Sequence, residues 1–170
     1  MPAWSPEIAN EFIRLAAAEK RTLDQLQLQG LVYIAHGWCL AFHGEPLTGD
    51  RPEAWEFGPM YRRLADALVP YGRDPVIHEI RDAGEFPVGR TDRTARSNLE
   101  RVELDLVAEV YQNYGTFESW QHSALTRKGD TPWRQVFADG AGRFRDIPHN
   151  LVRTQFVELL RQSEKWQETR

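Results

Sequence analysis

Leu26-Gln-Leu-Gln-Gly-Leu-Val-Tyr-Ile-Ala-His-Gly-Trp-Cys-Leu-Ala-Phe-His-Gly44 is the stretch that decides the fold of this 170-residue chain. Apolar side chains recur at helical spacing on two of its faces, and a glycine stands where the helix would end. A helix that is apolar on two faces usually lies at the centre of a fold, because one neighbour cannot cover both. The pattern therefore predicts a central helix, which Thr22 and Gln25 would open as a capping box.

Polar side chains interrupt the apolar faces of this helix in one row. At about 100° per residue, Gln25, Gln29, His36 and His43 fall within about 40° of one another, with Tyr33 beside them. Two interpretations stay open: the row is the outward edge of a mostly buried helix, or it is a surface that meets another protein. Amides, a phenol and imidazoles suit the second, because they hydrogen-bond without the desolvation penalty of a full charge.

Caps and apolar stripes predict further helices along the chain, so the expected fold class is mainly α. The predicted architecture is a compact single-domain helical bundle of about six to seven helices over residues 1–170. It opens with a short helix after Ser5-Pro6 and closes with a helix that has a charged tail. Another helix is expected to start at Pro59. Residues 75–89 carry a weaker pattern that would form a small β-hairpin.

Composition limits where the protein resides and what it binds. Hydrophobic residues make up 41% of the chain and charged residues 27%, the balance of an ordinary globular domain. No apolar run approaches the ~20 residues that cross a bilayer, and the N-terminus lacks a leader pattern, so we expect no membrane partner and a cytoplasmic location. A formal net charge of −4, without a dense basic stripe, argues against nucleic-acid binding.

No motif for catalysis or metal binding stands out. His36 and His43 lie two helical turns apart, about 10 Å along the axis, which is too far to share one ion. The chain has no Gly-x-Ser-x-Gly and no Walker loop, and its single cysteine, Cys39, lies within the apolar helix. We therefore expect no enzyme activity, no cofactor and no metal. Carboxylates such as Glu53 and Glu56 could still converge with others in the folded chain.

Two segments resemble the Panacea domain, the SocA-like antitoxin family of bacteria and phages. The central helix matches most of the family pattern Leu-Gln-Lys-Leu-Leu-Tyr-Tyr-Ala-Gln-Gly-Trp, and Glu53-Ala-Trp-Glu-Phe-Gly-Pro59 contains the family's Glu-Ala-Trp-x-x-Gly-Pro. Where the family often has Leu-Thr-His-x-x-x-Pro-Trp, this chain has Leu125-Thr-Arg-Lys-Gly-Asp-Thr-Pro-Trp133, with Arg127 in place of the histidine. The resemblance spans roughly residues 22–160.

The resemblance implies an α-helical antitoxin without catalytic activity, which neutralises a co-encoded toxin by direct binding. An alternative is also implied, because one family member delivers its toxin to a ClpXP-type protease as an adaptor. Related domains occur in phages and prophages, so a phage-encoded protein that binds a host factor is a rival, as is a small hydrolase or transferase. The candidate partner-binding residues lie on the polar row and around the tryptophan motif: Gln29, Tyr33, His36, Trp55, Glu56 and Arg62.

Overall fold

The computed structural model describes residues 3–81 and 99–168 of the chain. Seven α-helices and one two-stranded antiparallel sheet make up this part of the protein, which confirms the predicted mainly α class. The helices are α1 (Ser5–Ala18), α2 (Gln25–His43), α3 (Arg62–Leu68), α4 (Arg101–Tyr114), α5 (Ser119–Arg127), α6 (Pro132–Phe137) and α7 (His149–Glu168). The strands are β1 (Glu53–Trp55) and β2 (Gly58–Met60), and short 3-10 turns follow α3 (Val69–Tyr71) and α6 (Ala138–Gly140).

Helix α2 is the central element of the bundle, as its two apolar faces predict. It packs against α1, α3, α4, α5, α7 and strand β2, and α7 is its most extensive neighbour. Every residue from Leu28 to Gly37 is buried. Burial of apolar surface contributes about 25 cal/mol per Å², so this helix provides much of the stabilisation of the core. None of the helices within residues 3–81 and 99–168 is long and apolar enough to cross a membrane.

Helix α2 begins later than its sequence pattern predicts. The capping box is formed by Asp24 and Gln27 instead of the predicted pair. The Asp24 carboxylate accepts a 2.8 Å hydrogen bond from the Gln27 N–H, and the Gln27 side chain accepts one of 2.9 Å in return. The preceding residue, Leu23, is held in a β-bridge because its carbonyl accepts a 2.8 Å hydrogen bond from the Val76 N–H. This bridge places the first helical turn after Leu23.

Two glycines let neighbouring helices come close to α2. A Cβ built on Gly30 would lie 2.2 Å from Nδ1 of His122 in α5, and one on Gly37 would lie 2.3 Å from Cε2 of Phe156 in α7. The glycines are two helical turns apart and therefore lie on one face of α2. Helices α5 and α7 can pack this closely only because both positions lack a side chain.

The hairpin β1–β2 forms where the sequence predicted an extended segment followed directly by a helix. Trp55 pairs with Gly58, so Glu56 and Phe57 form a two-residue turn. Gly58 has a φ of +122°, which a glycine adopts without strain. Because Pro59 pairs with β1, helix α3 starts at Arg62, and the start predicted at Pro59 is wrong.

The other edge of β1 is covered by the segment that leads into α7. The Ala54 N–H donates to the Arg145 carbonyl, and the Phe144 N–H donates to the Ala54 carbonyl, each at 2.8 Å. A third bond of 2.8 Å joins the Ile147 N–H to the Pro52 carbonyl. The hairpin is thereby attached to the C-terminal half of the chain, and β1 has pairing partners on both sides.

The β-hairpin predicted for residues 75–89 lies mostly outside the described residues. In its predicted first strand, Val76 forms a β-bridge with Leu23. Ile80 is held by the buried amide of Asn10, which donates to the Ile80 carbonyl at 2.8 Å and accepts from its N–H at 2.6 Å. These contacts fix this segment against α1 and the start of α2.

Candidate functional site

The six predicted partner-binding residues fall into two groups. Gln29, Tyr33 and His36 lie inside the protein, with 1%, 0% and 0% of their surface exposed. The other three, on the hairpin and at the start of α3, reach the surface. The middle of the polar row is therefore buried in this structure, and the second group presents its side chains on the outer surface.

Gln29 binds the backbone of one residue. Its Oε1 accepts a 2.8 Å hydrogen bond from the Tyr61 N–H, and its Nε2 donates to the Tyr61 carbonyl at 3.1 Å. Tyr61 connects β2 to α3, so this amide holds the end of the hairpin against α2. A buried amide with both ends satisfied specifies one arrangement, because any shift would leave polar groups unpaired.

His36 links the loop after α2 to the first turn of α7. Its Nδ1 accepts a 3.3 Å hydrogen bond from the Leu47 N–H, and its Nε2 lies 3.2 Å from Nδ1 of His149. Because Nδ1 is an acceptor, the network assigns the proton to Nε2, which donates to His149. Burial lowers the pKa of His36 to about 3, with a smaller contribution from His149, and burial also lowers the pKa of His149. Both imidazoles are neutral at pH 7, and the pair ties two distant segments together.

The described side chains do not assemble a metal site or a reactive thiol. In residues 3–81 and 99–168, no group of three or more His, Cys, Asp or Glu side chains is placed to hold a metal ion. Cys39 is buried in α2, and burial, together with the charges of Glu103 and Glu45, raises the pKa of its thiol to about 11. A protonated buried thiol is a core residue rather than a nucleophile.

An exposed cluster of aromatic and charged side chains covers the outer side of the hairpin, and we call it the hairpin patch. Its members are Trp55, Glu56, Phe57, Arg62, Arg143 and Phe144. Phe57 is 68% exposed and Phe144 is 53% exposed. Tryptophan and arginine are enriched among the residues that dominate binding energy at interfaces. The patch therefore has the composition of a protein-binding surface.

Arg62 organises one side of the hairpin patch. Its guanidinium donates to the Glu53 carboxylate at 2.9 and 3.2 Å, and its centre lies 5.2 Å from the Trp55 ring and 5.7 Å from the Phe144 ring. Glu53 also accepts a 2.9 Å hydrogen bond from Nε1 of Trp55, whose ring meets that of Phe144 edge-on. Side chains ordered before binding lose less entropy when a partner docks.

The segment of Arg127 and Trp133 supports the hairpin from the other side. Nε1 of Trp133 donates a 2.7 Å hydrogen bond to the Trp55 carbonyl. The guanidinium of Arg127 lies 5.0 Å from the Trp133 ring, and a Cβ on Gly58 would lie 3.4 Å from Cδ of Arg127. Two stretches that were compared with family motifs, Glu53–Pro59 and Leu125–Trp133, therefore meet at the hairpin.

Comparison with known proteins identifies the family. The family model described as "Antitoxin SocA-like, Panacea domain" matches residues 28–134, which is more than half of the chain. The protein belongs to this family. The matched range of the Panacea domain runs from the first turn of α2 to the start of α6 and contains the whole hairpin.

A curated relative matches most of the Panacea domain. Antitoxin SocA of Caulobacter vibrioides (strain NA1000 / CB15N) is 43% identical over 141 residues, which covers 79% of this chain and 70% of the relative. No solved structure matches the chain significantly. Family membership and this relative support an antitoxin role for the protein.

Several residues of the site are not among the candidates predicted from the sequence. Phe57 could have been found, because it precedes the Gly-Pro pair that marks a turn, and turns lie on the protein surface. Phe144 and Arg143 had no such signal, since they join the patch only through the pairing of their segment with β1. Arg127 stood out as a departure from the family pattern, but its place beneath the hairpin follows from packing alone.

Proposed function

We propose that this Panacea domain neutralises a co-encoded toxin by binding it directly through the hairpin patch, without catalysis. The observation that carries the proposal is the exposure of Phe144 against the ordered pair of Trp55 and Arg62, with Phe57 exposed at the turn of the same hairpin. Large exposed aromatic side chains are unfavourable in water, and a partner surface would cover them. Family membership supports the antitoxin role, and the patch supplies a surface for it.

The hairpin patch is a better candidate than the other exposed apolar residues of the described chain. Val69 and Ile77 are exposed in the segment that follows α3, and Val102 is exposed at the start of α4. They are not joined to an ordered aromatic and arginine cluster, and single exposed apolar residues are common on protein surfaces. The hairpin patch combines exposed aromatic rings with charges of both signs in a fixed arrangement.

The proposal is tested by co-expressing the protein with the product of the neighbouring gene and scoring growth rescue and co-purification. We expect rescue together with a stable complex. Phe57→Ser and Arg62→Ala should each weaken toxin binding at least about tenfold, as is usual for interface hot spots. Val102→Ser removes a comparably exposed apolar side chain from α4 and serves as the matched control, with expected affinity within about twofold of wild type.

Three outcomes would contradict direct binding through this surface. Rescue without a complex would point to delivery of the toxin to a ClpXP-type protease or to action on the toxin's target. Equal affinity of the Phe57→Ser and Val102→Ser variants would place the interface elsewhere. If the neighbouring gene product is not toxic, it is not the toxin that the proposal requires.

A further inference from the structure

A cavity of about 220 Å³ lies between α2 and α5, on the inner side of the hairpin. Tyr33 and Gly30 line it from α2, His122 and Arg127 from α5, and Phe57 from the turn of the hairpin. Phe57 belongs both to this cavity and to the hairpin patch. The cavity therefore borders, at Phe57, the surface that we propose to bind the toxin.

Polar atoms around this cavity lack hydrogen-bond partners among the described residues. The hydroxyl of Tyr33 is buried and unpaired, and so is Nε of Arg127. Neither ring nitrogen of His122 has a partner within hydrogen-bond geometry, although the Phe117 carbonyl lies nearby. Burial lowers the pKa of His122 to about 4, so its neutral ring at pH 7 still carries one N–H. The unpaired groups are thus mainly donors, and buried donors without acceptors are unfavourable.

Arg127 adds a positive charge that no carboxylate in the described part of the chain balances with an ion pair. Its side chain is nevertheless held in place: the stem passes Gly58, the guanidinium lies over the Trp133 ring, and Nη1 is 3.5 Å from the Ser123 hydroxyl. A guanidinium that is already oriented loses little entropy when it binds a planar anion. The unpaired hydrogen-bond donors and the positive charge of Arg127 together favour a carboxylate as the group that binds in the cavity.

We propose that the cavity receives an acidic side chain of the toxin, whose carboxylate pairs with Arg127 and accepts hydrogen bonds from Tyr33 and His122. This inference rests on the proposed function. The volume of about 220 Å³ is smaller than the ~300–1,000 Å³ of typical small-molecule sites and suits a single side chain. Its rim is formed by Leu26, 41% exposed, and by Phe57, which are apolar contacts of the kind that protein partners cover.

The first experiment measures toxin affinity for variants of the two donors. Arg127→Gln removes the charge and should weaken binding about ten- to a hundredfold, and Arg127→Lys, which keeps the charge without the fork, should be intermediate. Tyr33→Phe should also weaken binding, although the free protein should be no less stable, since the lost hydroxyl has no partner there. Arg153→Gln, an exposed arginine of α7, is the control for net charge and should bind like wild type. If Arg127→Gln also binds like Arg153→Gln, the proposal is wrong.

A second measurement identifies the acidic residue. Asp→Asn and Glu→Gln substitutions across the toxin should include one that weakens binding to wild type but has little further effect on the Arg127→Gln variant. This non-additivity is the signature of a direct pair. If every acidic substitution adds fully to Arg127→Gln, no toxin carboxylate reaches this arginine and the proposal fails.

A third measurement separates failure of the cavity from failure of the antitoxin role. The free protein is titrated with sodium propionate, with propionamide and sodium chloride as matched controls, while the NMR signal of the Arg127 Nε–H is followed. If the neighbouring gene product is not a toxin, a shift with propionate alone still supports a carboxylate site. If the Arg127 signal instead responds equally to propionate, propionamide and chloride, the cavity does not bind carboxylates and the proposal of a carboxylate site is wrong.

Discussion

Nε1 of Trp133 donates a 2.7 Å hydrogen bond to the backbone carbonyl of Trp55, a residue 78 positions earlier in the chain. Trp133 is itself fixed, because its ring is buried and stacks on Phe137 with a centroid distance of 4.8 Å. The hairpin patch is therefore supported by a packed aromatic layer as well as by strand pairing. Its geometry depends on α6, which contributes no side chain to the patch.

We expect Trp133→Phe to lower the free energy of unfolding by about 1–3 kcal/mol, because the Trp55 carbonyl loses its donor. Urea unfolding measures this change. Hydrogen exchange should quicken at the amides of Ala54 and Phe144, which lie beside the loosened carbonyl. Trp4→Phe alters an exposed tryptophan and should change stability by less than about 0.5 kcal/mol. Equal losses for the two variants would show that the hydrogen bond contributes nothing specific.

Gly37→Ala should destabilise the protein by about 1–3 kcal/mol or more, because the added Cβ would overlap Phe156. Helix propensity acts the other way, since alanine is favoured over glycine by about 1 kcal/mol inside a helix. The sign of the measured change therefore decides whether packing dominates. In a double-mutant cycle, Phe156→Leu should relieve part of the loss. A more stable Gly37→Ala variant would mean that α2 and α7 are not packed this closely.

Gln29→Leu should lower the free energy of unfolding by about 2–6 kcal/mol, because two buried backbone groups of Tyr61 lose their partner at about 1–3 kcal/mol each. Gln112→Leu, at an exposed position of α4, is the control. Affinity for the toxin, measured where both variants remain folded, distinguishes an internal from a direct role. A stable Gln29→Leu variant with lost affinity would indicate that Gln29 contacts the partner.

The stability of the protein should fall as pH is lowered from about 6.5 towards 4. His36 has a pKa of about 3 and His122 of about 4 in the folded state, both below the value of ~6.5 in the unfolded chain. Their contribution is therefore fully present above pH 6.5 and is lost on acidification, because the unfolded state takes up protons first. One pH unit corresponds to about 1.36 kcal/mol per group, so His36 alone should contribute roughly 2–3 kcal/mol between pH 6.5 and 4.5.

The variant His36→Gln checks this assignment. Its unfolding free energy should change less steeply than that of wild type over pH 6.5–4.5, whatever its absolute stability. Chemical denaturation at several pH values provides both slopes. Superimposable slopes would mean that His36 is not buried in its neutral form.

Periodicity predicted which residues of α2 share a face, but not which face is covered. In the sequence, Gln29 and His36 belong to one polar row on α2, and such a row usually faces solvent. In the structure, β2, the loop after α2 and α7 close over it, and each polar group meets a partner distant in sequence. The helix start was also misplaced, because the β-bridge at Leu23 is a long-range contact that no local cap reveals.

The sequence by itself determined the helical class, the central place of α2 and the resemblance to the family, because apolar spacing, caps and motifs are properties of neighbouring residues. Tertiary structure decided that Gln29 and His36 are internal and that Phe144 and Arg127 lie at the hairpin. Those positions depend on hydrogen bonds and packing between segments far apart along the chain. The residues that contact them are brought together only when the whole core packs, and no local sequence pattern specifies that packing.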